Sequence, residues 1–202
     1  MVDQILRYLK GTPRQGILMR KNGHHKILTY TDADWVGSVE DRKSTASFCT
    51  FVGGNLVTWR SKKQSVVAKS SAEAEYRAMS LTTSELVWIK DLVEDLGLKI
   101  EEPMEMFCDN TSAMHIASNP VFHERTKHIE VDCHYVRNKH LDKTISLVGV
   151  RSENQLADSL TKPPSIQQLS NFVDKLNLIN LFKPNLRGSI EDKKLIEDVG
   201  LN

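Results

Sequence analysis

The sequence has few cysteines, few aromatic residues, little net charge and no long apolar run. Its three cysteines, Cys49, Cys108 and Cys133, are far apart and odd in number. That excludes a secreted disulfide framework and makes a reducing compartment the default. No apolar segment approaches the roughly 20 residues that span a bilayer, and Met1 to Lys10 is a mixed amphipathic stretch, not a signal peptide. The formal net charge is +1, which excludes nucleic-acid binding by bulk charge and leaves only local basic patches for that purpose. What is present is a globular composition, 40% hydrophobic and 26% charged over 202 residues. End-to-end disorder is thereby excluded, and the length suits one domain with some extra sequence.

Periodicity then orders the elements. Ile5, Leu6 and Leu9 stand at helical spacing in Val2 to Lys10, and Gly11-Thr12-Pro13 stops that helix. Strands are predicted over Lys26 to Trp35, Thr45 to Val52 and Leu56 to Arg60, the last two joined by the turn Gly53-Gly54-Asn55. Ser70 and Glu73 form a capping-box pattern that opens a long helix to Leu96, closed by Gly97. A strand over Met104 to Cys108, a helix through Ala117, a helix over Thr126 to His140, a strand over Thr144 to Val150 and a short helix over Glu153 to Thr161 follow. One more amphipathic helix is expected over Ser165 to Leu181. The order predicts an α/β domain, a mixed sheet with helices packed on it.

Four carboxylates stand out. Asp32 ends the first strand and shares a face with Leu28 and Tyr30 by period-two alternation. Taken alone it is most simply a solvated strand end. Glu75 falls on the axis of the apolar stripe Met79, Leu86, Ile89 and Val93, whereas Glu73 points nearly the opposite way. A carboxylate that faces a core needs a cation, unless the first helical turn lies beyond the core. Asp109 follows a strand and opens a helix, where an N-cap is the simple reading. Asp158 sits in a short helix, where a surface acid is the simple reading. Together, two acids at strand ends and two on helices can converge at one sheet edge, and no basic residue stands directly beside any of them. Clustered carboxylates of this kind call for a hard divalent cation, Mg²⁺ or Mn²⁺. Two such ions about 4 Å apart clamp an in-line phosphoryl displacement.

The motifs that carry these acids are Thr31-Asp32-Ala33-Asp34-Trp35, Trp59-Arg60-Ser61-Lys62-Lys63-Gln64 and Ser70-Ser71-Ala72-Glu73-Ala74-Glu75-Tyr76. Cys108-Asp109-Asn110, Arg125-Thr126-Lys127-His128-Ile129 and Ala157-Asp158-Ser159-Leu160-Thr161-Lys162 follow in order. They resemble the ribonuclease H region of copia-type retrotransposon Pol polyproteins of plants. The resemblance implies the ribonuclease H-like fold, a five-stranded mixed sheet with helices on both faces. It divides the chain into 1–25, the end of a reverse transcriptase region; 26–164, the ribonuclease H domain; and 165–202, a C-terminal helix and charged tail. It also implies that Asp32, Glu75, Asp109 and Asp158 hold two Mg²⁺ ions (Mn²⁺ as an alternative) and cut the RNA strand of RNA–DNA hybrids. The products would carry a 5′ phosphate and a 3′ hydroxyl. The expected partners are the hybrid and other Pol modules, reverse transcriptase among them, with no membrane; the place is a cytoplasmic particle or the nucleus.

Departures from the family pattern accompany the resemblance. The polymerase's own Tyr-x-Asp-Asp is absent, and no His lies between Leu141 and Gln155, where cellular ribonucleases H carry one. His128, His134 and His140 are weak substitutes for it. The initiator Met just ahead of a mid-polyprotein segment suggests a fragmentary copy. The competing reading is therefore a catalytically silent fragment that only binds nucleic acid or a polymerase partner. An integrase-type nuclease is a further alternative, but it would use Asp–Asp–Glu rather than the order Asp, Glu, Asp, Asp.

Substrate contacts are expected from the basic run Arg60, Lys62, Lys63 and Lys69 beside Trp59, a natural phosphate track although such runs are usually solvated faces. Asn110 is the candidate for the RNA 2′ hydroxyl, the group that marks the strand. His123, His128, Cys133 and His134 do not fit the spacing of a zinc site. Trp88, Leu92 and Leu96 are expected in the core or against a partner.

Overall fold

A computed structural model of the chain describes residues 15–118, 130–162 and 172–180, together with Leu6 and Lys10. Two compact units result, one from Ile17–Leu178 and the other from Met1–Gly16 with Ile179–Asn202. Of the smaller unit, the described residues are Leu6 and Lys10, both helical, and the ends of two short strands, β1 (Gln15–Ile17) and β7 (Leu178–Asn180), which pair with one another. The remainder of the helix expected over Val2 to Lys10 lies outside the described residues.

The larger unit is built on a five-stranded sheet. Its strands are β2 (Ile27–Asp34), β3 (Thr45–Val52), β4 (Asn55–Lys63), β5 (Met104–Cys108) and β6 (Ile145–Gly149), in spatial order β4-β3-β2-β5-β6. β2, β3 and β4 form an antiparallel meander, and β5 and β6 run parallel to β2. A parallel neighbour requires a crossover, and helix α1 (Ser71–Asp95) supplies it between β4 and β5. Helices α2 (Thr111–Ser118) and α3 (Glu130–Leu141) separate β5 from β6.

Alternation along each strand divides the core in two. On the α1 face, Ile27, Met104, Met106 and Ile145 pack against Tyr76, Met79, Leu86, Ile89 and Val93 of α1, Ala113 and Ala117 of α2, and Val136 of α3. On the other face, Cys49, Phe51 and Leu56 pack with Leu156 and Leu176. The expected stripe of α1 is therefore the buried one. Trp88, Leu92 and Leu96 face solvent, so they are not core residues.

The expected short helix over Glu153 to Thr161 is interrupted. A 3₁₀ turn, Ser152–Asn154, is separated from α4, Asp158–Thr161, by Gln155, Leu156 and Ala157. The reason is Gln155: its buried side chain donates from Nε2 to Thr31 O at 3.0 Å, and its Oε1 accepts the Ala157 N–H. A side chain that satisfies strand and turn backbone in this way competes with helical hydrogen bonding. The helix expected over Ser165 to Leu181 is described only from residue 172, ends at 175 and gives way to β7.

Candidate metal centre

Two neighbouring parallel strands, β2 and β5, deliver acids at their carboxyl ends, where open α/β sheets place their ligands. Asp32 lies two residues before the end of β2 and pairs in register with Ser47 of β3. It is buried on the face of Leu28 and Tyr30, away from α1. Asp109 follows β5 directly. Glu75 enters from the first turns of α1, where the Ser70 side chain caps the helix by accepting the Glu73 N–H at 3.2 Å. Asp158 opens α4 on the opposite face of the sheet from α1; Ser47 Oγ donates to Ala157 O at 2.8 Å and ties α4 to β3 beside Asp32.

The four acids meet electrostatically. Burial pushes the Asp32 carboxyl up to about 6; a hydrogen bond from Thr161 opposes the rise, while the charges of Asp158 and Asp109 add to it. Burial pushes Glu75 up to about 9, with the charges of Asp32 and Asp109 adding to it and the Ala33 backbone N–H opposing. Glu75 Oε2 is buried and has no hydrogen-bond partner. A buried carboxylate oxygen left in this state is unfavourable unless a proton or a cation covers it.

Three of the four acids have a short positioning contact. Thr161 Oγ1 donates to Asp32 Oδ2 at 2.6 Å, Ser152 Oγ donates to Asp109 Oδ2 at 2.6 Å, and Lys162 Nζ donates to Asp158 Oδ1 at 2.7 Å. None of these partners was picked out from the sequence. Lys162 had a signal: it lies four residues after Asp158, the i,i+4 spacing of helical ion pairs. The absence of a basic neighbour in the sequence thus does not hold in space.

Among the described residues, one set of three potential metal ligands draws together: Glu75, Cys108 and Asp109, whose donor atoms all lie within 4.8 Å of one another. Asp32 and Asp158 are not members of this set, and Asp158 Oδ1 accepts a hydrogen bond from Lys162. Burial first, then the charges of Glu75, Asp109 and Asp32, pushes the Cys108 thiol up to about 12, against the opposing Asn110 N–H. The carboxyl groups of Glu75 and Asp109 supply the oxygen donors of the set, which fits a hard divalent cation. Of the earlier zinc candidates, His123 and His128 lie outside the described residues.

Glu73 is as buried as Glu75, and it is neutralised: its carboxylate accepts the Lys69 N–H at 2.8 Å and pairs with Arg77 at 3.1 Å.

The expected substrate residues are spread over the surface. β4 runs three residues further than its pattern suggested, so Arg60, Lys62 and Lys63 stand on a strand. Arg60 and Lys62 oppose Phe48 and Ala46; Lys63 opposes Thr45 and bonds Ser38 and Asp41. Lys69 is exposed just before α1. Asn110 caps α2, its Oδ1 accepting the Ala113 N–H at 2.9 Å.

The coupled carboxyls predict how metal should act on stability. Mg²⁺ at about 100 times its Kd is expected to raise Tm by about 5–10 °C at pH 8. The gain should shrink at pH 5, where protons occupy the same oxygens. Thermal melts in Mg²⁺ and in EDTA at both pH values check this; equal Tm values at pH 8 would count against a cation site.

No family model matches the chain. It is 42% identical over 177 residues, 88% of its length, to the retrovirus-related Pol polyprotein from transposon RE1 of Arabidopsis thaliana. It is also 42% identical over 180 residues, 89% of its length, to the corresponding polyprotein from transposon RE2 of the same plant. The chain spans only 12% of the length of either relative. Among solved structures, the crystal structure of LC11-RNase H1 in complex with RNA/DNA hybrid superposes with a TM-score of 0.50 at 16% identity. That match covers 67% of this chain and 93% of the other.

Proposed function

This chain is a homologue of one segment of the retrovirus-related Pol polyproteins of plant transposons and has a ribonuclease H-like fold; from that premise we propose that it is a metal-dependent nuclease that cuts the RNA strand of RNA–DNA hybrids. The observation that carries the proposal is the meeting of Asp32, Glu75, Asp109 and Asp158 at the carboxyl ends of β2 and β5. The buried, unpartnered oxygen of Glu75 sits among them. The solved protein of similar fold was crystallised with the same class of substrate. In this reading residues 26–164 are the nuclease and 1–25 the end of a polymerase region.

The four carboxylates would hold two Mg²⁺ or Mn²⁺ ions, which when bound supply a more acidic attacking water and neutralise charge at the leaving 3′ oxygen. The chain's own residues prepare that site. Thr161 and Ser152 restrain the Asp32 and Asp109 carboxylates, which limits the reorganisation needed at the moment of reaction. Gln155 ties the turn before Asp158 to β2, so the fourth acid stays beside the first. Lys162 holds Asp158 Oδ1 at 2.7 Å and so balances charge and fixes the position of the fourth acid. Asn110 caps α2 through Oδ1 and leaves its amide NH₂ to meet a ribose 2′ hydroxyl.

The test is cleavage of a hybrid labelled on one strand at a time. The RNA strand alone is expected to be cut, with Mg²⁺ and not with EDTA. Folded protein that binds the hybrid but leaves both strands whole would favour a silent binding fragment instead.

The basic residues give a second measurement. Hybrid affinity is expected to fall steeply as salt rises, and Arg60→Glu with Lys62→Glu should flatten the log–log slope by about 2, one for each phosphate contact removed. An unchanged slope would remove these two side chains from the substrate path.

A further inference from the structure

From the set Glu75, Cys108 and Asp109 we infer that the chain has a second, soft-ion mode of metal binding, in which one thiophilic divalent cation such as Cd²⁺ or Zn²⁺ is held by the Cys108 sulfur and the two carboxylates. The site takes its carboxylates from the proposed nuclease centre but does not depend on hydrolysis.

Three observations converge on it. The Cys108 sulfur and a carboxylate oxygen from each acid lie within 4.8 Å of one another. Zn–S and Zn–O bonds of about 2.3 and 2.1 Å span at most about 4.4 Å end to end, so a small closure suffices, and a larger soft ion needs less. Glu75 Oε2 has no partner although Glu75 is only 5% exposed, so one carboxyl oxygen of the set is open to a cation in exchange for the Glu75 proton. The sulfur is held in place: Cys108 Sγ accepts the Asn110 N–H at 3.4 Å and lies 3.9 Å from Asn110 O.

Donor chemistry decides which ions use it. Mg²⁺ prefers six oxygens and ignores a thiol, whereas soft and borderline ions gain from the sulfur. Binding breaks the Cys108 S–H bond heterolytically; the electron pair stays on sulfur to form the S–metal bond, and the proton leaves to solvent. No electron is transferred. An ion in this position occupies Glu75 and Asp109 and so competes with Mg²⁺ for them.

The whole chain is titrated with Cd²⁺, following the ultraviolet sulfur-to-cadmium charge-transfer band and proton release. One band equivalent per chain is expected, present in wild type and in Cys49→Ser, whose buried sulfur lies in the cluster on the other face of the sheet. Cys108→Ser and Cys108→Ala should lose the band and weaken Cd²⁺ binding by at least an order of magnitude. Added Mg²⁺ should displace Cd²⁺ from wild type only at a large excess. A band of undiminished size in either Cys108 variant, or none in folded wild type, would overturn the inference. Because this readout is independent of cleavage, a wild type that shows the band but cuts nothing refutes the nuclease proposal and leaves the soft-ion site standing.

Discussion

Asp109→Asn is expected to lose at least about a thousandfold in the rate of hybrid cleavage, roughly 4 kcal/mol of transition-state stabilisation, while keeping its fold. The substitution keeps size and shape and removes one negative charge. Asn can still accept the Ser152 hydroxyl that now bonds Asp109 Oδ2 at 2.6 Å, so the turn after β5 has no reason to move. What changes is the charge that Glu75 and Asp32 both feel, which is the charge that would hold a cation. Single-turnover cleavage with saturating Mg²⁺ measures the loss, and circular dichroism melts report the fold. Glu105→Gln is the control: that acid lies on β5 too, but it is paired with Lys26 at 3.0 Å, and its loss should leave the rate within about threefold. If Asp109→Asn cuts at within tenfold of wild type, the carboxylate centre is not where the chemistry occurs.

Glu75→Gln is expected to do the opposite to stability while also abolishing cleavage. In the metal-free fold the Glu75 carboxyl is raised from 4.5 to about 9. Between those values the folded chain holds a proton that the unfolded chain has released. Stability therefore falls as pH rises through that window; below it the group contributes no difference, and above it the full penalty applies. At pH 7 the cost is about 3 kcal/mol, from 2.5 pH units above the unfolded value. Glutamine has no such ionisation and presents NH₂ donors to the neighbouring carboxylates, so the metal-free variant should gain about 2–3 kcal/mol at pH 7 and melt about 5–10 °C higher. Its stability should vary less with pH than that of wild type between 5 and 8. Denaturant unfolding in EDTA at several pH values measures both. A less stable Glu75→Gln with an unchanged pH slope would mean that Glu75 is neutralised by something other than its own proton. Greater stability bought by loss of the site is the trade-off expected where clustered charge serves function.

The element pattern was largely legible in the sequence because periodicity reports burial directly. Alternation in β2 put Asp32 on the face of Leu28 and Tyr30, and the structure has it there. The stripe of α1 put Glu75 toward the core, and it is buried. Gly97 adopts the positive φ of 83° that closes α1. The motifs, with their order, pointed to the plant Pol polyproteins that the comparisons return. These are properties of local pattern, which the chain states residue by residue.

What the tertiary structure alone decided is who stands beside whom. Thr161 reaches Asp32 across a sequence separation of 129 residues, Gln155 reaches Thr31 across 124, and Ser152 reaches Asp109 across 43. No period or propensity carries such pairings, because they arise only when α4 is laid against β2 and β3. The same holds for Glu73: helical geometry fixes its direction from the axis, but Arg77 and the Lys69 N–H decide that it can be buried. Cys108 likewise reads as an ordinary strand residue until Glu75 is brought to it by the crossover helix. Sequence determined the elements and named the acids; packing determined the distances between them, and with those the protonation and the ion each group can hold.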